Sequence, residues 1–169
     1  MNAHTLSKIA AVAVAGVLGA SVLGGCAAQQ TSAVTEAQSE NRAYMTQVNQ
    51  TMETLKDRLA SFSDAVSRGD VVNMRTQADN AFKALDSLSS QDAPDALKDI
   101  KQQYVDGCAD LETALSDYVS LYAEIDSATD AQPFDWSTYD ERIAAIQSSY
   151  DAGIAKLEAG DKAAADLNG

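Results

Sequence analysis

Residues 45–66 read MTQVNQTMETLKDRLASFSDAV, and the spacing of their apolar side chains decides the fold class. Met45, Val48, Met52, Leu55, Leu59, Phe62 and Val66 stand three and four residues apart in turn. That alternation lays one continuous apolar stripe along an α-helix, and it cannot be mapped onto the two-residue repeat of a strand. Gln, Asn, Thr, Lys, Asp, Arg and Ser fill the positions between, so the opposite face is wetted. Arg68-Gly69-Asp70 ends the segment, with glycine suited to a helix C-terminus and aspartate to the next N-cap.

Three further segments carry the same signature. Val71, Met74, Ala78, Ala81, Leu85 and Leu88 form a shorter stripe that runs out in Ser89-Ser90-Gln91-Asp92-Ala93-Pro94. Pro94 belongs near the first position of a following helix, where its missing N–H has no intrahelical partner to lose. The third stripe is Leu97, Ile100, Tyr104, Cys108, Leu111, Leu115, Tyr118, Tyr122 and Ile125. Val105, Ala114, Val119 and Leu121 broaden it, which predicts contact with two neighbours. A polar loop from Asp126 to Pro133 precedes the fourth stripe: Trp136, Tyr139, Ile143, Ile146, Tyr150, Ile154 and Leu157. Asp135 or Ser137 can cap this helix, and Ser137 with Asp140 has the spacing of a capping box. The Ala-rich tail from Gly160 onward is expected to fray.

No window alternates with period two over β-branched residues, so no sheet is expected. Short connections between successive amphipathic helices place neighbours antiparallel. The expected architecture is all-α: an antiparallel up-down four-helix bundle with a short second helix, occupying residues 41–169. A bundle of three long helices capped by a bent second one is the other arrangement the lengths allow.

Ahead of the bundle the composition changes twice. Met1 to Lys8 is polar with one cation, and Ile9 to Leu23 is an apolar run of Ala, Val, Leu and Gly. About 15 apolar residues fall short of the roughly 20 needed to span a bilayer as a helix. A polar start, an apolar middle and small residues before position 26 have the layout of a secretory signal; an uncleaved N-terminal helix is the other reading. Ala27 to Glu40 is Ala, Gln, Thr, Ser and Glu with almost no bulky apolar residue, the composition of a flexible tether.

Leu23-Gly24-Gly25-Cys26 resembles the lipobox of bacterial lipoproteins: an aliphatic residue, two small ones, then cysteine. The resemblance implies a signal peptide over residues 1–25, diacylglyceryl transfer to Cys26, and cleavage before it. Two acyl chains hold a protein on a membrane stably where one is marginal. Residues 26–40 then become the lipidated cysteine and tether, and the protein is extracytoplasmic and anchored to the cell membrane. Ala27 and Ala28 follow the cysteine without an aspartate, so the outer membrane is open to it in a Gram-negative cell. The heptads, the Pro94 start and the step from Tyr104 to Gly107 resemble those of small helical envelope lipoproteins, a likeness that transfers no functional residue.

Charge and residue types narrow the function by exclusion. The chain has 12 Lys+Arg against 25 Asp+Glu; without Lys8, 11 cations face 25 acids, a net of −14. Such a chain repels phosphate backbones, which excludes nucleic acid as the expected partner. The one histidine, His4, lies in the leader. The mature part therefore lacks Ser-His-Asp and Cys-His catalysis and every histidine-based metal site. No cofactor and no enzymatic activity are expected.

Several residues still carry possible chemistry. Cys108 is a thiol nucleophile only if a cation or helix N-terminus lowers its pKa; flanked by Asp106 and Asp110 in mid-helix, it reads as a small buried hydrophobe beside Gly107. Arg68-Gly69-Asp70 spells an integrin-ligand tripeptide, yet helix capping accounts for all three residues. Asp126, Asp130 and Asp135 could offer oxygens to a hard cation, without the glycine or closing glutamate of an EF-hand. Tyr104, Tyr118, Tyr122, Tyr139 and Tyr150 are either core residues or the lining of a small ligand pocket. Asp140 and Glu141 are adjacent and diverge on a helix, so they do not converge for acid–base work. The expected function is a membrane-anchored, non-enzymatic module that binds another envelope protein; the alternative is a sensor-type domain for a small ligand or cation.

Overall fold

The computed structural model describes residues 36–167. Cys26, the leader before it and residues 27–35 of the expected tether lie outside the described residues. Four α-helices make up most of the described chain: α1 (Glu36–Arg68), α2 (Val71–Ser90), α3 (Lys98–Ser127) and α4 (Tyr139–Asp166). Their lengths are 33, 20, 30 and 28 residues, so the second is the shortest. Short 3-10 turns, Asp95–Leu97 and Trp136–Thr138, lead into α3 and α4. No strand occurs among the described residues, and the fold is an all-α bundle.

The residues that meet between helices give their directions. Along α3 and α4 the pairs run in opposite order: Tyr104 with Asp161, Asp110 with Lys156, Glu124 with Arg142. Those two helices are antiparallel. On α1 and α2, Gln91 Nε2, just past the end of α2, reaches back to Thr51 Oγ1 at 3.4 Å, and a two-residue turn joins the other ends. Tyr44 lies near Tyr104, and Phe62 meets Tyr118 with ring centroids 5.7 Å apart, so α1 and α3 run together. The topology is up-down-up-down. One end holds the α1–α2 turn and the α3–α4 loop; α1 begins at the other.

The predicted stripes form the core. Met45, Val48, Met52, Leu55, Leu59, Phe62 and Val66 are all buried. α2 is a full member of the bundle, burying Met74, Ala78, Ala81, Leu85 and Leu88 along its length rather than bending over as a cap. α3 packs on both α2 and α4, as its broadened stripe requires. Each fully buried leucine contributes about 1.5–3 kcal/mol relative to an exposed one. Gly69 adopts φ +65°, a conformation in which any side chain is strained, and this turns the chain between α1 and α2.

Four local expectations are corrected. α1 begins at Glu36, five residues ahead of the expected domain start; residues 36–40 are helical although exposed. Ala, Gln and Glu are good helix formers, and a helix held by its buried stripe extends readily through them. The tail does not fray at Gly160: helix continues to Asp166, with Gly160 and Ala164 buried against the bundle. Trp136 leaves the core stripe and is 41% exposed, because it sits in a 3-10 turn before α4 rather than in its first α-turn. Finally, Asp135 caps that turn and Thr138 precedes α4 without a side-chain cap, so the Ser137–Asp140 capping box does not form.

Candidate functional site

The α1–α2 turn uses Arg68-Gly69-Asp70 for capping. Arg68 Nη2 pairs with Asp64 one turn earlier at 2.7 Å. Asp70 accepts the Asn73 backbone N–H at 3.0 Å and also the Asn73 side-chain amide. These hydrogen bonds, the backbone one foremost, hold the Asp70 carboxyl below the usual aspartate range. All three residues thus have structural partners or a structural conformation.

The five tyrosines divide between the two ends of the bundle. Tyr104, fully buried, donates its hydroxyl to Asp161 Oδ1 at 2.8 Å near the α1 start. Tyr44, which the heptad reading passed over, is buried close by. It precedes the stripe residue Met45, and only its neighbours in space reveal its burial. Toward the other end, Tyr118 stacks on Tyr122 at 6.4 Å and makes a T-shaped contact with Phe62, while Tyr139 meets Trp136 at 5.6 Å. Burial raises the pKa of all five, that of Tyr150 to about 12, so each is neutral near pH 7. The crevice among Phe62, Ala114, Tyr118, Ile146 and Tyr150 has a volume of about 10 Å³. One water needs about 10–15 Å³, so these side chains leave no room for a small-molecule ligand.

Cys108 is buried, and burial with help from Glu112 and Asp86 pushes its thiol up to about 12. A group so reluctant to ionise is a packing residue, not a nucleophile. Asp126 and Asp130 are exposed, whereas Asp135 accepts from Ser137 N at 3.0 Å and Ser137 Oγ at 2.7 Å. Among the described residues no group of three or more His, Cys, Asp or Glu is placed to hold a metal ion. Asp140 and Glu141 occupy the first turn of α4, where carboxylates complement the helix dipole.

Two surface features escaped the sequence reading. Arg142 grips Glu124 through two hydrogen bonds of 2.6 and 2.9 Å, clamping α4 to α3 beside the loop that carries Phe134 and Trp136. Between α1 and α2 an open groove of about 350 Å³ is lined by Arg58 and Lys83 together with hydroxyl and amide side chains. Neither feature has a local signal, since each joins residues at least 18 positions apart in sequence.

No protein-family model, no curated protein and no solved structure matches this chain. No helix of the described residues is long and apolar enough to cross a membrane.

Proposed function

We propose that the protein is a lipid-anchored lipoprotein of the bacterial envelope, held by acyl chains on Cys26, whose bundle is a non-enzymatic module for binding another envelope protein. The observation that carries this reading is the polarity of the bundle. α1 leaves the cysteine side of the chain at Glu36, and its 33 residues extend about 50 Å. At its far end the bundle presents Val72, 77% exposed, and Trp136 beside Phe134. An exposed tryptophan beside a half-buried phenylalanine is the kind of side chain that anchors protein interfaces. A lipid on Cys26 would therefore join the bundle at the end opposite these side chains. The interior around Phe62, Tyr118 and Tyr150 is packed, so recognition falls to the outer surface of the bundle.

Crosslinking in intact cells, with mass spectrometry of the captured proteins and of the N-terminal peptide, tests the reading. Wild type is expected to carry diacylglyceryl on Cys26 and to capture a defined envelope protein. Cys26→Ser should lose the lipid and the capture. Val72→Asp should keep the lipid and the fold yet lose the capture. An unlipidated Cys26 ends the anchor proposal, and capture unaffected by Val72→Asp moves the interface away from this end.

A further inference from the structure

The α1–α2 groove is a site of a different kind. In a chain with 25 acids and 12 bases, an open surface hollow of about 350 Å³ is lined by two cations and by no carboxylate. Among the described residues Arg58 and Lys83 form no ion pair, a state they share with other surface cations such as Lys56 and Arg75; what sets them apart is that they line one hollow together. Asp86, one turn beyond Lys83, acts on Cys108 and Glu112 of α3, on the other side of α2.

The register of the two helices builds the hollow. Thr51, Thr54 and Arg58 stand three and four apart on α1, and Asn80, Lys83 and Ser87 do the same on α2, so each set forms one strip along the shared groove. Ala84, buried between them, keeps the floor low. The polar atoms differ in what they offer. Arg58 presents a planar fork of donors and Lys83 a point charge, the two ways proteins hold oxyanions. Thr54 donates its hydroxyl proton to the Gln50 carbonyl at 3.0 Å, which leaves its oxygen to accept. Thr51 accepts from Gln91, which leaves its own O–H to donate. Asn80 adds both an amide donor and a carbonyl acceptor.

We infer that this groove binds a small oxyanion carrying hydroxyl groups, a polyol phosphate, with the phosphate between Arg58 and Lys83 and the hydroxyls reaching along the groove to Thr54, one turn away on α1. Its volume lies at the small end of the range for ligand sites, about 300–1,000 Å³. The same chemistry is offered by a free polyol phosphate and by the headgroup of a glycerol phospholipid. The inference does not depend on lipidation of Cys26 or on the partner surface near Trp136.

Titration calorimetry of the full chain at low salt, with sn-glycerol 3-phosphate, inorganic phosphate, glycerol and phosphatidylglycerol vesicles as probes, tests it. Glycerol phosphate is expected to bind more tightly than inorganic phosphate, and glycerol alone not at all. Arg58→Gln with Lys83→Gln should weaken glycerol phosphate binding at least about tenfold. Both side chains are exposed, so the double variant should keep the wild-type circular dichroism. Arg58→Lys retains the charge without the fork and should give an intermediate loss. Vesicle binding stronger than free glycerol phosphate, and lost in the double variant, assigns the ligand to a headgroup. Equal affinity of wild type and double variant, equal affinity for phosphate and glycerol phosphate, or no binding by about 10 mM overturns the assignment.

Discussion

Gly107 of α3 and Gly153 of α4 face each other so closely that a Cβ on Gly107 would lie 2.9 Å from the Gly153 carbonyl oxygen, and one on Gly153 would lie 2.9 Å from that of Gly107. The backbones themselves touch, so a methyl group here cannot be absorbed by turning a side chain. Alanine gains about 1 kcal/mol of helix propensity over glycine, while overpacking costs about 1–3 kcal/mol. Gly107→Ala should therefore lose about 1 kcal/mol in urea unfolding. Gly153→Ala should lose more, because its Cβ meets Leu111 Cγ at 2.8 Å, closer than the 3.0 Å between a Gly107 Cβ and Leu157 Cδ2. A stabilised Gly153→Ala variant would mean that α3 and α4 are farther apart.

The Tyr104–Asp161 hydrogen bond ties the last turns of α4 to the buried first turns of α3. Tyr104→Phe keeps the ring seated on Gly160 and removes only the donor. A hydrogen bond to a charged group contributes about 1.5–3 kcal/mol, less where solvent reaches the carboxylate, so a loss of about 1–2 kcal/mol is expected. Hydrogen exchange should show the change concentrated in residues 158–166 of α4.

Acid should act with opposite signs on two sets of carboxylates. Burial raises the Asp161 pKa above its ordinary 3.8, so its folded form takes up a proton at higher pH than the unfolded chain. Its contribution to stability improves as pH falls through that raised value and is lost as pH rises through it. Asp70 and Asp135 are held below 3.8 by their capping hydrogen bonds; their contribution is present above that value and is lost as pH falls through the lower folded pKa. Asp161→Asn, which still offers Tyr104 an acceptor, should gain stability at neutral pH, with the advantage shrinking toward about pH 4. A constant difference between the two pH profiles would count against the buried carboxylate.

Gly69 has no substitute in its turn. At φ +65° a non-glycine residue is strained by about 1–2 kcal/mol, and a Cβ would press on the Tyr122 hydroxyl at 2.8 Å. Gly69→Ala should destabilise by at least about that amount in thermal or urea unfolding, and Tyr122→Phe should relieve part of the loss. If the two changes prove simply additive, the Gly69–Tyr122 contact is not what makes the substitution costly.

Cys108 should resist thiol reagents in the native protein. With its pKa moved from 9.0 to about 12, the thiolate population falls about a thousandfold, before burial blocks access. Native protein should label at least that much more slowly than protein in urea, as followed by mass spectrometry. Rapid native labelling would show that α3 opens locally.

What the chain determined by itself is periodic and local. The stripe from Met45 to Val66, its three successors and the Gly69-Asp70 break are legible because a helix repeats every 3.6 residues whatever it packs against. All-α class, helix number and the short second helix follow from them, as does the reading of Cys108 as a packing residue. Only the tertiary structure decided which residues meet. The close approach of Gly107 to Gly153, the seat of Tyr104 on Gly160 that keeps the tail helical, and the burial of Tyr44 all depend on the register of one helix against another. So does the facing of Arg58 by Lys83, two residues that look like ordinary wet-face charges on their own stripes. Trp136 shows the reverse case: it falls on the heptad, yet the 3-10 turn after Asp135 rotates it off the apolar face and leaves it exposed. Periodicity tells which face of each helix is buried, but packing and register between helices set what that face, and the one opposite it, finally touches.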